Sequence, residues 1–290
     1  MKRARGISRR NALGTIGAMA AAGVALNGSG AIPNTSAQTS SHGAGPRAIA
    51  LIGDRAHNAD YIRVSLNRLF GELSIPIDYT TNFYDLSAAM LRPYQLFVAF
   101  RDNIDTAIDP ERIGLPIGGP SWISEEQGKA VQDFVAAGNG FYSFHNNAFV
   151  SRSSNNYRDV QGGLALSHPA LRPFKVRIVN SEHPITKGIQ DFMVTDEQHY
   201  LIYDKDPKNI LLHSENIDGL TFTTTYQDPR ISANPGPPKN WGTTSVSGWA
   251  HEYGKGRVVF TAMGHTNHVM WHPEYLKLQK NAVRWLLKMS

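Results

Sequence analysis

Four short runs of apolar residues each end in glycine or polar residues, and helical periodicity fills intervals between them. Residues 47–52, RAIALI, lead into Gly53-Asp54-Arg55, and residues 94–99 precede Arg101-Asp102-Asn103. Phe141-Tyr142-Ser143-Phe144 is followed at once by His145-Asn146-Asn147, and residues 257–261 lead to Met263-Gly264-His265. Runs this short, without polar alternation, predict strands buried on both faces. Residues 60–73 place Ile62, Leu66, Leu69 and Phe70 on one helical face, and 75–79 predict a second strand. Ser124 with Gln127 three residues later reads as a capping box, opening a helix over 125–137 that ends at Gly138 and Gly140. Residues 276–287 predict a last amphipathic helix. This alternation predicts an α/β three-layer sandwich with a mostly parallel central sheet. Ligands of such sheets sit beyond the carboxyl ends of the strands, so Asp54, Arg101 and His145 are expected on one edge. The middle of the chain is less regular. Strands are expected at 175–179, 210–212 and 221–225, and the Pro/Gly-rich stretch 228–248 reads as a long loop, a rim or a lid.

The first 37 residues read as a twin-arginine-type export signal. Ser8-Arg9-Arg10-Asn11-Ala12-Leu13 precedes a Gly/Ala-rich apolar stretch ending near Leu26, with cleavage expected after Ala31 or Ala37. That stretch is shorter than a stable membrane crossing. A periplasmic or secreted protein with no stable membrane span after signal removal is expected. Residues 38–46 read as a flexible linker, and 47–290 as one domain. The signal holds five of the 29 basic residues and none of the 24 acidic ones, which leaves the rest of the chain balanced. The net charge of +5 is therefore no argument for a nucleic-acid partner. The chain has no cysteine, which excludes disulfides, a cysteine nucleophile and a thiolate metal site.

The chemistry-bearing candidates are mostly histidines. His145 and His265 each stand at a strand exit, beside glycine or polar residues, where an imidazole can hold a metal or move a proton near neutral pH. Glu197 offers a carboxylate to the same divalent metal or to a histidine. His251 and Glu252 are neighbours in a strand, so only one reaches a given face; His251 is the chosen third catalytic residue. Arg101, Asn146, Asn147 and Trp271 are the candidate substrate-binding residues. His265, His268 and His272 are spaced like ligands, but Pro273 disfavours a helical His272, and a surface aromatic loop around Trp271 is the stronger reading. No glycine-rich fingerprint follows the first strand, so no nucleotide cofactor is expected.

Several segments occur together in a recognisable order. They are Gly138-Asn139-Gly140-Phe141-Tyr142-Ser143-Phe144-His145, His183-Pro184-Ile185-Thr186-Lys187-Gly188, Asp196-Glu197-Gln198-His199-Tyr200, residues 249–258 and Gly264-His265. With these the chain resembles the trehalose-utilisation ThuA-like family over residues 47–288. The resemblance implies a flavodoxin-like fold similar to class I glutamine amidotransferases. Those enzymes carry a cysteine at the elbow where this chain has His145, which argues against glutamine hydrolysis. It also implies a small-molecule carbohydrate or keto-sugar ligand, links to 3-keto-glycoside metabolism, and a sugar oxidoreductase as partner. The expected activity is a 3-keto-glycoside lyase or hydrolase working by histidine-assisted proton abstraction. A keto-sugar isomerase and a non-catalytic carbohydrate-binding or accessory protein are the alternatives.

Overall fold

The computed structural model describes residues 45–105, 121–225 and 237–289. The expected export signal and most of the linker lie outside these residues.

The apolar runs do become strands. β1 (Ala48–Ile52) is followed by α1 (Ala59–Glu72), β2 (Ile77–Thr80), α2 (Ala88–Leu91) and β3 (Leu96–Phe100). Next come α3 (Glu125–Ala136), β4 (Gly140–Phe144), a 3-10 segment (His145–Arg152) and α4 (Asn155–Gln161). The chain continues through β5 (Gly163–Ser167), β6 (Arg172–Ile178), β7 (Phe192–Asp196), β8 (Tyr200–Tyr203) and β9 (Ile210–Asn216). It closes with β10 (Thr223–Thr224), β11 (Lys239–Asn240), β12 (Thr244–Tyr253), β13 (Gly256–Thr261), α5 (Asn267–Met270) and α6 (Pro273–Leu286).

Nine strands form one sheet in the order β2-β1-β3-β4-β13-β12-β9-β6-β7. Pairing is parallel from β2 to β13 and antiparallel from β13 to β7. The sheet is thus mixed, not mostly parallel. The reason is local: β12 reaches β13 through a tight turn at Gly254, with φ +59°, and such a hairpin forces antiparallel pairing. Residues 244–248, expected in the long loop, belong to β12, while the expected strand at 221–225 shrinks to the two-residue β10.

Helices cover both faces. Ala48, Ala50 and Ile52 of β1 pack in a core with Ile62, Leu66, Leu69 and Phe70 of α1 and with α6. Ile49 and Leu51 point the other way, into a core with Val131 and Val135 of α3 and Tyr157 and Val160 of α4. A strand with apolar cores on both sides needs apolar residues at every position, which explains the unalternated run. α3 begins with the expected capping box: Gln127 N donates to Ser124 Oγ, and the Gln127 side chain accepts from Ser124 N.

Candidate metal and substrate site

The parallel strands β1, β3, β4 and β13 are contiguous and point the same way, so their exit loops abut. The β1 exit supplies Asp54 and His57, the β3 exit Arg101 and Asp102, the β4 exit His145 and Asn146, and the β13 exit Gly264 and His265. Asp54 is the organiser. One carboxylate oxygen accepts from the backbone N–H of Ala56 (2.8 Å) and of His57 (2.9 Å) and pairs with His57 Nδ1 at 2.9 Å. The other accepts from Asp102 N (3.0 Å) and Asn146 Nδ2 (2.5 Å). Burial works to raise the Asp54 pKa, but the His57 contact and the backbone donors bring it down to about 2.

Four possible ligand groups meet here. His57 Nε2 stands 3.1 Å from His265 Nδ1, which is 3.2 Å from Glu197 Oε2, and that oxygen is 3.4 Å from His145 Nε2. Two donors about 2.1 Å from one tetrahedral ion stand about 3.4 Å apart, so the spacing fits a shared divalent metal. Two of the remaining nitrogens are engaged as ligating imidazoles require: His57 Nδ1 by Asp54, and His145 Nδ1 by Ala262 O at 2.7 Å. His145 is fully buried, yet its Nε2 has no hydrogen-bond partner. Buried polar atoms are rarely left so, and a cation would satisfy this one.

Backbone geometry aims these side chains. His145 has φ +49°, a strained value for a non-glycine residue, and this turns its ring out of the β4 line. Gly264, with φ +156°, passes so close to its neighbours that a Cβ would lie 2.8 Å from the Phe100 ring and 3.1 Å from His145 Cβ. Asp196, at the end of β7, accepts from Gly264 N (2.7 Å) and His265 N (3.1 Å). It thereby fixes the β13 exit and brings the adjacent Glu197 into the cluster. Burial would raise the Glu197 carboxyl, but its close approach to His145 and His265 and the nearby His168 hold it far below the usual range. Burial pushes His57 and His168 down, towards the neutral imidazole that binds metals.

The cluster opens into a cavity of about 390 Å³ whose walls include His57, Asp102, Asn146, Phe149, His168 and Glu197. The cavity lies where the strand order reverses around β1, the usual ligand crevice of an open α/β sheet. Burial and the Asp54 charge push the Asp102 carboxyl up to about 7.

The expected residues separate into two groups. His145, His265 and Glu197 meet, and Asn146 lies beside them. Arg101 is buried as a brace, donating to Gly53 O and covering the Phe83 ring at 4.0 Å. Asn147 is consumed internally, by Arg101 O, Ser143 Oγ and Tyr157 OH. Trp271 is 38% exposed beneath the Arg68 guanidinium and is not part of the cavity wall. His251 does not join the cluster. β12 runs antiparallel to β13, so His251 pairs with Val258, near the start of β13, and bonds Val160 O at 3.0 Å. His272 stands at the N-cap position of α6 without a side-chain cap bond and stacks on Phe192, apart from His265. His57, His168 and His199 were missed. Only the Asp54–His57 spacing in a strand-exit loop gave any signal, and it is weak alone.

A profile of the ThuA family, described as trehalose utilisation, matches residues 50–286. A search of the curated proteins finds no match. Among solved structures, a ThuA-like protein from Bacteroides uniformis aligns with TM-score 0.57 and 17% identity, over 86% of this chain and 94% of that one. A ThuA-like protein from Parabacteroides merdae gives TM-score 0.56 and 16% identity, over 83% of this chain and 90% of that one. A cold-adapted β-galactosidase from Rahnella sp. R3 gives TM-score 0.51 and 14% identity, over 84% of this chain but only 31% of that one. At these identities the likeness is one of fold. The family match spans most of the chain, and the chain belongs to the ThuA, trehalose-utilisation, family.

Proposed function

We propose that this protein is a metal-dependent enzyme acting on 3-keto-glycosides, cleaving them by elimination and hydration. The observation that carries the reading is the convergence of His57, His145, His265 and Glu197 beside a sugar-sized cavity that His57 and Glu197 line. Family membership supports a sugar-related substrate.

The proposed residues divide the work. His57, His145, His265 and Glu197 would hold a divalent ion, which would polarise a substrate carbonyl and stabilise an enediolate. This reading places His145 and His265 in holding the metal rather than in carrying the proton. Asp102 faces the cavity with a carboxyl that titrates near neutrality, and it is the proposed base. It removes the C2 proton beside the C3 carbonyl, and the electron pair moves onto the carbonyl oxygen. As the carbonyl re-forms, the C1–oxygen bond breaks and the aglycone leaves with a proton. Water then adds at C1 while a proton returns to C2, giving net hydrolysis. Asn146 keeps Asp54, and through it His57, in place. Phe149 offers an apolar ring to a sugar face.

The φ of His145 at a strand-to-helix turn supports relating the fold to flavodoxin-like and amidotransferase-like proteins, with histidine at the elbow. The basic, Gly/Ala-rich start of the chain supports export to the periplasm or beyond. A substrate bearing a 3-keto group implies an oxidoreductase upstream that makes it.

The test is aglycone release from a 3-keto-glycoside by metal-loaded protein, followed by chromatography. Release should fall at least 100-fold in His145→Ala and in Asp102→Asn, with the fold retained. No release across several keto-glycosides, metals and pH values would overturn the reading in favour of isomerisation or sugar binding.

A further inference from the structure

We propose that Glu197 bridges two metal ions, the second of them held by His168 and His199. The inference deepens the metal-dependent reading and rests on it. The ligand atoms of His168, Glu197 and His199 lie within 4.8 Å of one another, as do those of His57, His145, Glu197 and His265. Glu197 is the only member common to both sets.

The second set has its own grounds. His199 is 1% exposed, and its Nε2 makes no hydrogen bond. Its Nδ1 stands 3.2 Å from the backbone oxygen of Glu197. His168 Nδ1 stands 3.0 Å from Pro169 O. His199 thus repeats the arrangement of His145 on Ala262, with Nδ1 on a backbone carbonyl and Nε2 left as an acceptor, while His168 brings its Nδ1 to the cluster, 3.6 Å from Glu197 Oε2. The His199 ring lies 4.3 Å from that of His145 and 4.7 Å from that of His168. Five imidazoles and a carboxylate are more donors than one tetrahedral ion accepts. Divided between two ions they need a shared carboxylate, and Glu197 Oε2 already approaches His145, His265 and His168 at 3.4, 3.2 and 3.6 Å.

Two adjacent ions suit the proposed chemistry better than one. One would take the enediolate oxygen, and the other would lower the pKa of the water that adds at C1. His168 lines the cavity, which places the second ion at the substrate side.

The experiment is metal counting on the full-length chain, stripped with chelator and reloaded with Zn(II), with ions per chain read by mass spectrometry. A parallel Co(II) titration follows the visible absorption. Two ions per chain are expected, falling to one in His199→Ala and in His168→Gln. The Co(II) spectrum should saturate at two equivalents in the parent and at one in the variants. His168 is partly exposed at the cavity wall, so His168→Gln stays informative where His199→Ala unfolds. One ion in the parent, unchanged in His168→Gln, would overturn the second site and leave the first. Two ions in both variants would overturn the assignment of His168 and His199. No bound ion in the parent would overturn this proposal together with the metal-dependent reading.

Discussion

Asp54 and Asp102 are neighbours through one backbone hydrogen bond; burial works to raise both carboxyls, but the His57 contact and backbone donors reverse it at Asp54 alone. Asp54 is held at about 2 in the folded chain against an ordinary 3.8. Its contribution to stability is fully present above the ordinary value and is lost as pH falls through 2. Asp102 is raised from 3.8 to about 7, so the folded chain binds its proton more tightly and loses stability as pH rises across that interval. Asp102→Asn should therefore raise the melting temperature by a few degrees at pH 8, not at pH 4, while activity falls; thermal melts at both pH values check this. Asp54→Asn should weaken metal binding about 10–100-fold, because His57 loses its charged orienting partner; competition with a chromogenic chelator measures it. The same residues show what a sequence withholds. His145 and His265 were legible because glycine and an apolar strand precede or surround them. His57 lies in a polar loop without any such frame, and its partner His265 is 208 residues away.

Elements were more legible than sites. The capping box of α3 was readable because it is local: Ser124 and Gln127 satisfy each other within one turn. Ser124→Ala should cost about 1 kcal/mol in urea unfolding and leave metal binding unchanged. The hairpin strands were harder, since nothing local to β6 or β7 says which neighbour they will find. The direction of β12 decided the fate of His251, and direction depends on the whole sheet. At the β13 exit the close approach of Gly264 to Phe100 and His145 leaves no room for a methyl group. Gly264→Ala should destabilise the chain by more than about 2 kcal/mol and also displace His145. Denaturant melts paired with metal counts would show both losses together.

At the scale of the molecule, the two halves of the sheet meet at one place. The parallel half supplies His57, His145 and His265. The antiparallel half supplies Asp196 at the end of β7, the far edge strand, and Glu197 just beyond it. A metal bound there would tie the β7 edge to the parallel strands at the other half of the sheet. At a hundredfold excess over the dissociation constant, zinc should add about 2.7 kcal/mol to stability. For a domain of this size that is a melting shift of roughly 5–10 °C. A chelator should reverse it, and Glu197→Gln should nearly abolish it. An imidazole must be neutral to hold the ion, so the shift should shrink as pH falls; burial lowers His145 but Glu197 and Asp196 raise it above the ordinary imidazole value, so the loss should begin there.

The pairing of His57 with His265 has a further consequence for how the chain matures. A ribosome delivers the first of these residues long before the last. Until β13 and its exit have emerged, no nascent fragment can assemble the full ligand set. On the proposed reading, metal capture would be a late event that reports completed folding instead of nucleating it.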